Sequence, residues 1–315
     1  ACGGGGWVTY DVALAPGAQR LSFITHKGDE HDARVENYDV SEAATAADAA
    51  SAASSAASNP APALSLWVVQ GSGGVYTSEP DPESGVSKGD LSKARAIWVA
   101  ADIVAVPFAP AAYDGTQRVF ELVASDEGPG GGLMLDGAQG VVATGGGQER
   151  IRLEPCTAGG TAGGWNAPDA AAAGDKFPHV RAAGYTCLRL PAGLAASPRD
   201  LARLLKCQLG LAVFRSRAGG GGLVLEDATS VQNHGAIDDV CGGYEGPLGC
   251  EISGGGGGGA VTMRVWAPTA RSVQLLVFDQ PHGGDPKAVV RMTEGGAEGT
   301  DAGVWSAQGS AAEWE

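Results

Sequence analysis

Hydrophobic and polar positions alternate most regularly between Val261 and Asp279, in VTMRVWAPTARSVQLLVFD. Val261, Met263 and Val265 fall on one side of an extended chain, and Thr262, Arg264 and Trp266 on the other. After Ala267-Pro268-Thr269-Ala270 the same period returns, with Val273, Leu275 and Val277 set against Gln274, Leu276 and Phe278. Proline has no N–H to give a ladder, so Pro268 belongs in the connection, and the pattern predicts a β-hairpin. The second strand is apolar on both sides, so both faces are expected to be covered, one of them by another domain.

Elsewhere the alternation is shorter. Val8, Tyr10 and Val12, then Leu21, Phe23 and Thr25, predict strands, and His26–Asp32 is polar and turn-rich. Residues 41–58 are almost wholly Ala and Ser and have no amphipathic face, so a solvated, mobile insertion is expected. Leu66–Val69 and Val75–Thr77 resume as strands around Gly71–Gly74. Further strands are expected at Ile97–Ala101, Val119–Val123, Leu133–Leu135, Val141-Val142, Ile151–Leu153, Tyr185–Leu190 and Leu209–Val213. Ser197-Pro198-Arg199-Asp200 reads as a helix start, with Ser as cap, Pro in the first turn, and Leu201, Leu204 and Leu205 on one face. The glycine run 254–259 reads as a flexible linker. The expected fold class is mainly β: consecutive β-sandwich-like modules with few short helices, the last one truncated.

Composition narrows the function classes. The net charge of −15 leaves no basic stripe to displace counterions from a phosphate backbone, so nucleic acid is excluded as a partner. No apolar run approaches the ~20 residues of a membrane helix, which fits a soluble protein with a neutral ligand. Six cysteines, at 2, 156, 187, 207, 241 and 250, form no C-x-x-C and have no His at zinc-finger spacing. Reduced structural thiols are therefore expected, and no metal or cofactor. The glycine triplets 130–132 and 145–147 do not precede Lys-Ser/Thr, so they are read as loops and not as phosphate cradles. The chain opens Ala-Cys-Gly-Gly-Gly-Gly without an initiator Met and stops at Glu315, and both ends read as cut.

Several segments share one resemblance. Trp266-Ala267-Pro268 with Ala270, leading to Phe278-Asp279, is similar to the opening of the small β-sandwich that precedes the barrel in pullulanases, limit dextrinases, isoamylases and branching enzymes. Asp90-Leu91-Ser92, Trp98-Val99, Asp102-Ile103, Leu205–Leu209 and Tyr244–Gly249 resemble limit-dextrinase segments that lie ahead of that sandwich, in the same order. Phe23, Ile24, His26, Gly28, Asp29 and Asp32 resemble the loop of a pullulanase starch-binding module, with His31 where that module has Lys and Lys27 close by. The strand that carries the paired tryptophans of that module has no counterpart here.

The resemblance implies the non-catalytic N-terminal part of a starch-debranching glycoside hydrolase that cleaves α-1,6 branch points with two carboxylates. Its modules would be 1–80, partly starch-binding-like; 81–253, the N-terminal domain; and 254–315, a truncated carbohydrate-binding sandwich. Catalytic residues are expected to be absent: no Gly-Phe-Arg-x-Asp segment occurs, and Asp227 with Asn233-His234 has the wrong spacing and reads as acidic loop residues. Candidate carbohydrate contacts are Lys27, Asp29, His31, Asp32, Trp266 and Trp305. Implied partners are α-glucan (starch, amylopectin, limit dextrins), held weakly, and the catalytic barrel of the same parent chain. The Ala/Gly-rich insertions resemble those of green algal proteins, which with the substrate points to a plastid. The alternative is a free-standing glucan-binding or scaffold protein with no hydrolase activity.

Overall fold

The computed structural model describes residues 20–27, 30–39, 66–68, 75–78, 89–109, 117–126, 132–144, 147–158, 161–162, 165, 168–216, 222–253, 259–296, 301–310 and 314, with backbone alone at 20–27, 30–39, 157–158, 161–162 and 168–169. The Ala/Ser run 41–58 and residues 254–258 lie outside that set. Two units are distinguished: residues 1–97, 105–189 and 208–232, and residues 98–104, 190–207 and 233–315.

In the first unit, β1 (Arg20–Lys27) and β2 (Glu30–Asp39) pair antiparallel. Then follow β3 (Trp67–Val68), β4 (Val75–Tyr76), β5 (Ala96–Ala100), β6 (Ile103–Val106), β7 (Arg118–Ser125), β8 (Leu133–Asp136), β9 (Gly140–Ala143) and β10 (Gln148–Pro155), with the 98–104 part of β5 and β6 counted in the second unit. After the short pair β11 (Thr157–Ala158) and β12 (Thr161–Ala162) come α1 (Pro168–Lys176), α2 (Pro178–Ala182), β13 (Thr186–Arg189), β14 (Gln208–Ser216) and β15 (Leu223–Gln232). The strands β10-β13-β6-β5-β15-β14-β7 close into a barrel, which leaves no sheet edge open. A four-stranded sheet, β3-β4-β8-β9, adds a second layer. Its Tyr76, Leu135 and Val141 form one buried cluster with Val123, Ala212, Phe214, Leu225 and Ala228 of the barrel strands. The strands expected at 119–123, 133–135, 141–142 and 151–153 are all present, in β7, β8, β9 and β10.

The second unit contains α3 (Ala192–Ala195), α4 (Pro198–Leu205), α5 (His234–Cys241) and strands β16 (Gly249–Ser253), β17 (Ala260–Trp266), β18 (Gln274–Val277), β19 (Ala288–Arg291), β20 (Thr293–Glu294) and β21 (Val304–Ser310). Helix α4 starts as its residues predict: the Asp200 N–H donates to Ser197 Oγ at 3.3 Å, Pro198 fills the first turn, and Leu201, Leu204 and Leu205 are buried. Asn233 Nδ2 donates to the Leu205 carbonyl at 3.2 Å and ties the start of α5 to the end of α4. At Gly235 a Cβ would meet backbone, Val99 Cα at 2.6 Å and the Trp98 carbonyl oxygen at 2.7 Å. Backbone atoms cannot swing aside as a side-chain tip can. Gly235→Ala is therefore expected to destabilise this unit by about 1–3 kcal/mol, read as a lower urea midpoint.

The hairpin expected from Val261 to Asp279 is corrected. Strand β17 pairs with β16 along one edge and with β21 along the other, while β18 pairs with β19. A strand has only two edges, and both of those of β17 are occupied, so β18 must join another sheet. The result is a sandwich of a four-stranded sheet, β16-β17-β21-β20, and the pair β18-β19. Ala267–Val273 crosses between the sheets, held by the Ala267 N–H to the Gly303 carbonyl at 2.8 Å and the Met292 N–H to the Val273 carbonyl at 3.0 Å. Gly303, at φ 77°, lets the chain pass under Pro268, where a Cβ would come within 2.6 Å of the ring. Ser253 and Ala260, on either side of the glycine run, are register partners of β16 and β17.

Only one face of β18-β19 is covered among the described residues. Leu275 and Val290 pack on the buried cluster of Met292, Trp305 and Ala307. On the other face Leu276 and its cross-strand partner Val289 are 47% and 55% exposed, and Phe278 is 45% exposed.

Candidate functional site

The proposed starch-binding loop is a tight connection between strands. Lys27 ends β1 opposite Glu30, and His26 lies opposite His31, which leaves only Gly28 and Asp29 between the paired positions. His31 and Asp32 thus belong to β2 and not to a loop. Asp29 itself, and the side chains of Lys27, His31 and Asp32, lie outside the described residues.

Trp266 ends β17 half-buried, and its indole N–H donates to the Cys241 carbonyl at 3.0 Å, which fixes the ring. It lines a shallow cleft of ≈ 270 Å³ with Asp238, Gly242, Tyr244 and Leu248. Tyr244 also borders a second cleft of ≈ 240 Å³ with Arg264, Asp301 and Ser306. The Tyr244 hydroxyl donates to the Pro247 carbonyl at 3.1 Å. Arg264 pairs with Glu251 at 2.8 Å, and that hydrogen bond holds the guanidinium further above its ordinary value. An aromatic face beside charged and hydroxyl groups is the chemistry that stacks on a sugar ring and hydrogen-bonds its hydroxyls. Sequence reasoning placed Tyr244 only in a family motif. Asp238 and Asp301 carried no periodic or motif signal of their own.

Trp305 is different. It is 5% exposed, its indole N–H donates to the Ala267 carbonyl at 3.0 Å, and Lys206 Nζ lies 5.5 Å from the ring centroid. Lys206, the C-cap of α4, is in turn paired with Glu294, while Arg271 Nε donates to the Lys206 carbonyl at 2.8 Å. Both the edge and a face of this ring are therefore occupied by protein.

Asp227 is a buried residue of β15, not of a loop. Its carboxylate accepts from Arg95 Nη1 at 3.1 Å and Nη2 at 2.6 Å, and from the Ala228 N–H at 2.7 Å. All of that hydrogen-bonding capacity faces protein, which suits a structural ion pair and not a proton-transfer group. Among the described residues no group of three or more His, Cys, Asp or Glu could hold a metal ion.

Residues 93–239 match the pullulanase N2 domain model, and residues 247–313 match carbohydrate-binding module 48, the isoamylase N-terminal domain. The chain carries an N2 domain followed by a module 48. It is a distant homologue of pullulanases over their N-terminal regions. Chloroplastic pullulanase 1 of Arabidopsis thaliana is 31% identical over 136 residues, which is 43% of this chain and 12% of that protein. Two ligand-free structures of PulA from Klebsiella pneumoniae, the G680L mutant and PulA itself, are 22% and 21% identical, each with a TM-score of 0.50 over 78% of this chain and 19% of theirs. The chain thus spans less than a fifth of each of these relatives, and the part it spans corresponds to non-catalytic domains. The N2 match ends inside α5, and the module 48 match begins just before β16. Lys206 and Trp266 Nε1 therefore connect the last helices of the N2 domain to module 48 within one unit.

Proposed function

We propose that this chain is the non-catalytic N-terminal part of a starch-debranching hydrolase that cleaves α-1,6-glucosidic branch points of starch-derived glucans. The observation that carries this reading is the tandem order of N2 domain and module 48. Packing on a catalytic barrel of the same parent is supported by the open apolar face of Leu276, Phe278 and Val289, since exposed apolar patches mark interaction sites. A plastid location is supported by the chloroplastic name of the Arabidopsis relative. The modules are 1–80, 81–253 and 254–315, and the pairing of β16 with β17 argues for moving the last boundary ahead of Gly249.

The chain itself is expected to release no maltotriose from pullulan, because a glycosidase needs two carboxylates flanking the bond and the resemblance implies that this pair lies on the barrel of the parent. Maltotriose above a blank, from a preparation free of other hydrolases, overturns the reading. Sequencing the transcript past Glu315 gives a second test. In-frame continuation into a barrel supports the enzyme, and a stop codon supports the free-standing scaffold.

Glucan contact by this part is proposed to be weak. Lys27, Asp29, His31 and Asp32 offer hydrogen bonds that compete with water, each contributing ~0.5–1.5 kcal/mol net. Two or three such bonds barely offset an association cost of ~4 kcal/mol or more. Trp266 is the one candidate aromatic that is not fully buried, and Trp305 contributes through packing. Titration of maltoheptaose by calorimetry is expected to give millimolar or weaker affinity. Micromolar affinity, lost in Trp266→Ala and kept in Lys27→Ala, moves the site to module 48.

A further inference from the structure

The barrel seam between β10 and β13 is short. Two register pairs are formed, Glu154 with Arg189 and Pro155 with Leu188, against six between β10 and β7. Pro155 has no N–H, so its position adds no donor to the ladder. The next pair in the same register is Cys156 with Cys187, and the Cys156 N–H donates to the Cys187 carbonyl at 3.1 Å. Directly opposed residues of antiparallel strands have Cα atoms about 4.5–5.5 Å apart, within the span a disulfide bridges. Both residues are buried and carried as thiols. The thiols are also hydrogen-bonded to each other, which, with burial, pushes the Cys187 thiol well above its ordinary value. The two backbones are therefore within disulfide reach, and the reactivity of the thiols is restrained while the seam is closed.

We propose that Cys156 and Cys187 are a modification site, at which a low-molecular-weight disulfide of the glutathione-disulfide class converts the two thiols into a cross-strand disulfide that staples the barrel. When the seam opens, one cysteine thiolate attacks a sulfur of glutathione disulfide, forms a mixed disulfide and expels one glutathione thiolate. The second cysteine, deprotonated, attacks the protein-side sulfur and expels the other glutathione. The protein loses two protons and two electrons, and glutathione disulfide takes up both as it becomes two glutathione thiols. This inference does not depend on the glucan reading.

The test uses the full chain with Cys2→Ser, Cys207→Ser and Cys250→Ser, so that reactive sulfur elsewhere does not mask the pair. The reduced protein is incubated with glutathione disulfide overnight at a temperature where it stays folded, then read by intact mass, thiol titration and peptide mapping. The expected result is a mass lower by two hydrogens, a peptide linked through Cys156 and Cys187, reversal by dithiothreitol, and a melting midpoint several degrees higher. Cys156→Ala and Cys187→Ala, each in the same background, are expected to form no intramolecular disulfide. A glutathione adduct that persists on Cys156 or Cys187 overturns the proposal, because the neighbouring sulfur should resolve it. So does a disulfide to Cys241, or a pair that remains reduced throughout.

Discussion

Trp305→Ala is expected to remove about 3–5 kcal/mol of stability, among the largest single-residue losses in module 48. The ring is 5% exposed and packs with Met263, Leu275 and Val290, drawing both sheets of the sandwich together. Truncation leaves a cavity between sheets, an Ala267 carbonyl without its indole donor, and Lys206 without the ring beneath it. Urea unfolding measures the loss, and Trp305→Phe, which keeps an aromatic side chain but loses volume and the N–H, is expected to cost about 1–3 kcal/mol. If Trp305→Ala leaves the urea midpoint unchanged and abolishes maltoheptaose binding, the ring is a sugar platform and the packing account fails.

Arg95→Met is expected to destabilise the first unit by about 3 kcal/mol, because it strands the Asp227 carboxylate in a buried site. Asp227 would keep only the Ala228 N–H at 2.7 Å. Arg95 is 31% exposed in its side chain, so solvent screening places the loss at the lower end of the range for buried pairs. The guanidinium also donates to the Ala228 carbonyl at 3.1 Å and lies 5.3 Å from the centroid of Phe108. The double variant Arg95→Met with Asp227→Leu is expected to recover most of the stability, since neither charge is then buried alone. A double variant no more stable than the single one would place the effect in lost packing and not in the ion pair.

Legibility in the sequence varied with how local the governing interaction is. The start and buried face of helix α4 were legible, because the cap Ser197 directly precedes the eight-residue helix Pro198–Leu205 that holds Pro198 and the three leucines. The Asp90–Val99 and Tyr244–Gly249 segments were legible through resemblance, and the N2 match covers 93–99 of the first and the module 48 match 247–249 of the second. Asp227 was legible only as an acidic residue. What makes it structural is Arg95, 132 positions away and brought alongside by the barrel. The clefts at Tyr244 and Trp266 were not legible as a unit, since Asp238, Tyr244 and Trp266 come from three separate segments.

The sequence by itself determined the mainly β class, the positions of most strands, the cap of α4 and the order of the N2 and module 48 segments, because alternation, capping and motif spacing are read within one segment. Tertiary structure decided which strands meet. It separated β17 from β18, whose adjacency in sequence suggested a hairpin, because β16 and β21 already occupy both edges of β17. It turned Trp305 from a candidate sugar platform into a packed ring covered by Lys206. It placed Cys156 and Cys187 opposite one another, as no spacing rule predicted. Each of these outcomes depends on pairing between distant segments, and side-chain period sets which face a strand buries but not which neighbour it takes.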